Sequence, residues 1–199
     1  MFISTGMANL TEIRDALKIL TSYGTLKKNI TILQCNTEYP TPLKDANIKA
    51  MLTIKKKFKI NVGYSDHTQG IESSLAAVAL GASVIEKHFT LDKKLPGPDH
   101  SFALNPNQLK EMIRSIRDAE KCLGKGEKIV LDEEFELCDY AQRTIQCIKP
   151  ISKGDIFVEG ENVNILRSGK QRKGLHPRFL EKIQGRKSTR NIPIGDGIM

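Results

Sequence analysis

Ile30-Thr31-Ile32-Leu33 runs without a break into Gln34-Cys35-Asn36-Thr37-Glu38-Tyr39-Pro40. A short apolar run that stops in a polar, proline-marked cluster reads as a buried strand feeding a loop that can carry function. The pattern recurs on both sides. Residues 2–4, 60–63 and 83–85 are also short and rich in β-formers, and the first three segments start about 29 residues apart, the spacing of βα units.

Helical patterns fill the gaps between these strands. Leu10, Ile13, Leu17 and Leu20 share one helical face, and Asn9 and Glu12 have capping-box spacing. Ile48, Met51 and Leu52 mark a second helix, and residues 70–80 a third with an Ala-rich face. Asn105-Pro106 opens a fourth, with Gln108 completing the cap, an apolar stripe from Leu109 to Leu123, and Gly124 as the stop. Strands alternating with helices predict an α/β fold on a parallel sheet, either doubly wound or a barrel.

Four such units make half of an eight-stranded barrel. A parallel half-sheet leaves edge strands unpaired and an apolar face uncovered, so the chain is expected to begin in mid-domain. The predicted organisation is a partial barrel over 1–125, a charged linker without clear period over 126–141, and a small module over 142–199. In that module, residues 143–151 and 156–158 read as short strands and 177–183 as a short helix. It is too small to be very stable alone.

The bulk numbers narrow the class. The 199 residues are 39% hydrophobic and 27% charged, enough for a soluble core. No apolar run is long enough to span a bilayer, and Met1-Phe2-Ile3-Ser4-Thr5-Gly6 lacks the regions of a signal peptide. Cys35, Cys122, Cys138 and Cys147 form no metal-finger spacing and read as free thiols, which predicts a cytoplasmic protein. The net charge of +8 is concentrated late: residues 142–199 hold 12 Lys and Arg against 5 Asp and Glu. The basic residues Arg167, Lys170, Arg172, Lys173 and Arg178 have only Phe179 beside them for base stacking, and the chain has no tryptophan. A solvated basic face, or an arginine reaching into an anionic site, is preferred to nucleic-acid binding. No glycine pattern cradles a nucleotide phosphate.

The suggestive polar clusters all follow strands, where βα folds keep their functional residues. His67 and His88, at the ends of neighbouring strands, can converge on one divalent metal and leave positions open for substrate oxygens. The alternative is a pair of strand-end histidines bonded to their own loops. Asn36, Thr37, Tyr39 and Ser65 offer donors for a phosphate or carboxylate, or serve the turn around Pro40 and Pro42. Asp99 can bind a sugar hydroxyl or cap its turn.

Taken together, Leu33 through Pro40, Gly63 through Thr68, Glu86 through Thr90, Gly97-Pro98-Asp99 and Ile3-Ser4-Thr5-Gly6-Met7 resemble the N-acetylneuraminate (sialic acid) synthase family. The resemblance covers essentially the whole chain. It implies strands five to eight of a (β/α)8 TIM barrel, followed from about residue 142 by a small antifreeze-like (SAF) domain.

The activity implied is condensation of phosphoenolpyruvate with N-acetylmannosamine or a related acylated amino sugar, giving a nonulosonic acid and phosphate. His67 and His88 match the family's catalytic, metal-binding histidines, for Mn2+ or Mg2+. Thr37, Tyr39 and Ser65 match positions that contact phosphoenolpyruvate, and Asp99 matches a sugar-binding aspartate. Arg167 matches an arginine that the small domain lends to the partner's barrel in a homodimer with exchanged SAF domains. By the same resemblance, the Glu38-Tyr39-Pro40 and Gly63-Tyr64-Ser65 variants are compatible with both N-acetylneuraminate and legionaminate-type synthases, and pseudaminate synthases match them less well.

Strands one to four and their sugar- and phosphate-binding residues are missing from the match. The expectation is therefore a chain inactive alone, active only with a separate N-terminal fragment, or else a non-catalytic remnant acting in assembly.

Overall fold

The computed structural model describes residues 1–199 apart from the side chain of Tyr140. The chain divides into two compact units, Met1–Glu127 and Lys128–Met199.

In the first unit the chain alternates between strand and helix: β1 (Phe2–Ser4), α1 (Leu10–Ser22), β2 (Thr31–Cys35), α2 (Ala50–Phe58), β3 (Asn61–Asp66), α3 (Glu72–Ala79), β4 (Ile85–Lys87) and α4 (Pro106–Leu123). The four strands are parallel and lie in chain order, β1-β2-β3-β4. That order resolves the two possibilities left open by the sequence. A doubly wound sheet reverses direction at a switch point, whereas right-handed crossovers that always step the same way make a curled barrel segment.

Period-2 alternation then assigns each side chain a face. Ile32 and Val62 point to the helices and join Ile13, Leu17, Met51, Ile54 and Phe58 in the main core. Ser65, one residue on from Tyr64, faces the opposite side. Gly63 is required there: a Cβ would collide with Leu33, its register neighbour, and with the Val84 carbonyl. A second cluster packs α4 on α3 through Val78, Leu104, Met112 and Ile116.

The helices start where their caps place them. Asn9 Oδ1 accepts from the N–H groups of Thr11 and Glu12, while Glu12 accepts from Asn9 N–H at 2.7 Å. Asn105 and Gln108 form the same reciprocal box before Pro106. The fourth strand begins later than expected from 83–85. Ser83 and Val84 already bond to β3, but regular pairing runs to Lys87. Among the described residues β1 pairs only with β2 and β4 only with β3, and Phe2 on the outer strand is 64% exposed.

The second unit is α+β. It contains α5 (Asp132–Ala141), the antiparallel pair β5 (Arg143–Cys147) and β6 (Val163–Arg167), and a 3-10 turn over Pro177–Phe179 that leads into α6 (Leu180–Ile183). Its core gathers Ile145, Ile151, Phe157, Val163, Ile192 and Ile198. Two expectations need correction. The stretch expected to be linker carries the ten-residue α5, opened by Asp132, Glu133 and Glu134 in the first turn, where negative charge favours a helix. The strand expected over 156–158 is a single bridge from Ile156 to Lys187, and the partner of β5 is β6 instead.

Candidate active site

The chemistry-bearing residues of the first unit come together at the C-terminal ends of β2, β3 and β4. His67 and His88 follow β3 and β4 directly, and their ring centroids lie 5.1 Å apart in an edge-on arrangement. The Tyr39 ring, carried by the loop after β2, stands 4.2 Å from the His67 ring and 5.7 Å from the His88 ring. Phe102 packs into the same group, 5.2 Å from the His88 ring and 6.4 Å from the Tyr39 ring.

His67 Nδ1 lies 2.6 Å from the carbonyl oxygen of Asn36. A carbonyl only accepts, so Nδ1 carries a hydrogen, and Nε2 is the ring nitrogen left for another partner. His88 Nδ1 faces Asp99 at 3.6 Å. Burial pulls the His88 pKa below the ordinary histidine value and Asp99 partly opposes it, so the ring is neutral near pH 7. Two imidazoles, each with one nitrogen turned to a carbonyl or carboxylate, are the donor set expected of histidine metal ligands with their supporting shell. Among the described residues no group of three or more His, Cys, Asp or Glu is placed to hold a metal. Any ion here would take two protein nitrogens, with its other positions left to water or substrate oxygens, and the pair fits that role.

Ser65 shares a recess of about 260 Å³ with His67, Glu86 and His88, and its hydroxyl donates to Glu86 at 2.7 Å. Asp99 lines a neighbouring recess of about 250 Å³ together with His88, Pro98 and His100. The Tyr39 phenol is held above its ordinary pKa, first by burial and then by nearby Cys35, Asp99 and Glu86, so it remains a donor. Thr37 is placed differently. It lines a larger recess of about 1120 Å³ between the starts of α1 and α2. We locate the site at the histidines rather than in that larger space because convergent polar groups mark a site better than volume does. Arg167 ends β6 in the second unit.

Several residues here were not foreseen from the sequence. Glu86 fixes the Ser65 hydroxyl. Cys35 Sγ approaches His67 Nδ1 at 3.8 Å. Asp66 and Lys87 form a buried ion pair at 3.0 Å just beneath the histidines. The signal for that pair was present in the adjacent strand ends Ser65-Asp66-His67 and Glu86-Lys87-His88, but it becomes readable only once the register is known.

The NeuB family model matches residues 1–128. This chain belongs to the NeuB family. It is 46% identical to the N,N'-diacetyllegionaminic acid synthase of Campylobacter jejuni over 96% of this chain and 56% of that protein. It is 39% identical to a pseudaminic acid synthase of the same species, over 98% of this chain and 55% of that one. Among solved structures, the Bacillus subtilis spore coat polysaccharide biosynthesis protein SpsE aligns over the whole chain and 59% of its own, with a TM-score of 0.57 and 38% identity. The sialic acid synthetase of Leptospira borgpetersenii in complex with citrate aligns over 68% of the chain and 47% of its own, with a TM-score of 0.61 and 36% identity. The chain thus spans about half the length of the curated relatives it matches. The curled parallel sheet is the feature shared with the solved relatives. No helix among the described residues is long and apolar enough to cross a membrane.

Proposed function

We propose that this NeuB-family chain supplies the histidine-bearing half of a nonulosonic acid synthase, which condenses phosphoenolpyruvate with an acylated amino sugar and releases phosphate. The observation that carries the reading is the convergence of His67, His88 and Tyr39 on the C-terminal ends of parallel strands, with Ser65 and Asp99 alongside. In the reaction, C3 of phosphoenolpyruvate bonds to the aldehyde carbon of the open-chain sugar and the aldehyde oxygen takes a proton. Water then adds at C2 and phosphate departs, leaving a 2-keto acid. The N,N'-diacetylated acceptor of legionaminate synthesis is the preferred sugar, supported by the 46% identity to such an enzyme.

His67 and His88 would hold Mn2+ or Mg2+ through Nε2 nitrogens that their Asn36 and Asp99 partners leave free. When bound, the ion supplies Lewis-acid polarisation of the aldehyde oxygen. Tyr39 and Ser65 donate hydrogen bonds to the phosphate and carboxylate of phosphoenolpyruvate, and Glu86 orients the Ser65 hydroxyl; Thr37, which lines the recess beside α1 and α2, would join them only where the substrate extends into that recess. Asp99, half exposed beside His88, accepts from a sugar hydroxyl. Residues 142–199 are assigned to an SAF domain whose Arg167 reaches the anionic substrate in the partner's barrel of a homodimer. The local excess of positive charge supports that assignment.

The edges of the four-stranded sheet are open among the described residues, and half of an eight-stranded barrel cannot enclose a substrate. The test is amino-sugar-dependent phosphate release from phosphoenolpyruvate, with Mn2+ present. It is run on this chain alone and on the chain mixed with a polypeptide that supplies strands one to four from a legionaminate synthase. The expected result is background alone and activity in the mixture. No activity in a mixture shown to associate would favour a non-catalytic assembly role.

A further inference from the structure

Resting on the metal reading above, we infer that the buried Asp66–Lys87 pair is a positioning device that sets the separation of the His67 and His88 nitrogens. Asp66 and Lys87 are direct partners in the β3–β4 register, and each immediately precedes one histidine. Period-2 alternation sends the charged pair to the helix-facing side and the histidines to the opposite side. A change in how Asp66 meets Lys87 is therefore a change in how His67 meets His88.

The pair is thoroughly bound. Its side chains are 0% and 4% exposed, with Lys87 Nζ 3.0 Å from Asp66 Oδ2. Asp66 Oδ1 accepts from the Thr68 N–H and hydroxyl, both at 2.8 Å. Oδ2 accepts from the Ser73 and Ser74 hydroxyls at the start of α3, at 2.9 and 2.5 Å. Lys87 also donates to the Thr68 carbonyl. The residue that follows His67 is thus held at both its N–H and its C=O by the charged pair. The His67 carbonyl itself accepts from Thr41 N–H, and the His88 carbonyl from Leu104 N–H, each at 2.9 Å.

Energetics favour a positioning role over a purely stabilising one. Desolvation of a buried ion pair consumes most of its Coulomb gain, so an apolar pair of similar size would hold the sheet together about as well. What an apolar pair lacks is direction. Four hydrogen bonds and one ion pair on a single carboxylate are satisfied together in one register only, and that register sets the geometry offered to a metal. The competing view, that Asp66 only anchors the start of α3, predicts the same stability effects but no effect on metal affinity.

Mn2+ titration of the full chain, read from the spectrum of the free ion by electron paramagnetic resonance, separates the two. The variants are Asp66→Asn/Lys87→Met, Ser74→Ala and His67→Ala. The double variant removes both charges; it is expected to melt within a few degrees of wild type yet bind Mn2+ about 10–100-fold more weakly. Ser74→Ala keeps the charges paired and removes one donor to Asp66; it is expected to bind roughly two- to fivefold more weakly. Wild-type affinity in a folded double variant overturns the positioning role, as does wild-type affinity in Ser74→Ala should the double variant not fold. Binding by wild type no tighter than by His67→Ala overturns the metal reading itself, a separate and recognisable failure.

Discussion

The two faces of β3 and β4 meet the same chemical problem in opposite ways. On the helix-facing side, Asp66 and Lys87 are buried, and every polar atom of theirs that is recorded in contact has a partner from Thr68, Ser73, Ser74 or the other member of the pair. On the interior side, one residue further on, His67 and His88 are braced at Nδ1 while their second ring nitrogens are left over. Buried polar groups cost free energy unless satisfied, so the satisfied face is structure and the face with spare lone pairs is where chemistry belongs. Adjacent positions in one strand therefore have different tolerances, and substitution can expose the difference.

The largest stability effect should come from breaking the satisfied face unevenly. Lys87→Met leaves the Asp66 carboxylate buried without its counter-charge. Urea denaturation should show a loss of about 3–5 kcal/mol, with most of it recovered when Asp66→Asn is added. If the single and double variants lose equally, the pair is not coupled.

His67→Ala should behave in the opposite manner. Complemented phosphate-release activity should fall by about 100-fold or more, because Lewis-acid polarisation contributes several kcal/mol to a barrier. The melting temperature of the metal-free protein should change little. A collapse of stability with activity retained would turn the assignment of the two faces around.

A smaller effect tests the local frame rather than the contrast. Asn105→Ala removes the α4 cap and should cost about 1 kcal/mol in urea denaturation, with no change in Mn2+ affinity.

The smallest is a pH effect. The His88 pKa is lowered in the folded chain, chiefly by burial. The unfolded chain therefore takes up the proton first, near its ordinary value of about 6.5. Stability is full above that pH and declines as pH falls toward the lower folded value. In chelator-treated protein, wild type should lose more melting temperature than His88→Gln between neutral pH and pH 5. Equal losses would show that His88 is not the group responsible.

Much of this contrast could be read from the sequence, and the missing part has a physical cause. Asn9 with Glu12, and Asn105 with Gln108, announce helix starts because a cap acts over three residues, so neighbours in sequence are neighbours in space. Strand spacing and the polar clusters placed Tyr39, Ser65, His67, His88 and Asp99 after strands, and the structure brings Ser65, His67, His88 and Asp99 to two recesses that share His88, with the Tyr39 ring against both histidines. Asp66 and Lys87 are 21 residues apart, and their meeting depends on a register that periodicity leaves open by any even number of residues. Strand β6 escaped notice because its burial fades along its length, from Val163 inside to Arg167 outside. Helix α5 escaped because its apolar residues Phe135 and Leu137 are exposed, so no buried stripe records its period.

The most direct test of the central claim is anomalous scattering at the manganese edge from crystals of this chain grown with Mn2+. The account predicts a single strong peak bonded to the Nε2 atoms of His67 and His88. A peak elsewhere, or none at these nitrogens in crystals that bind manganese, would contradict it.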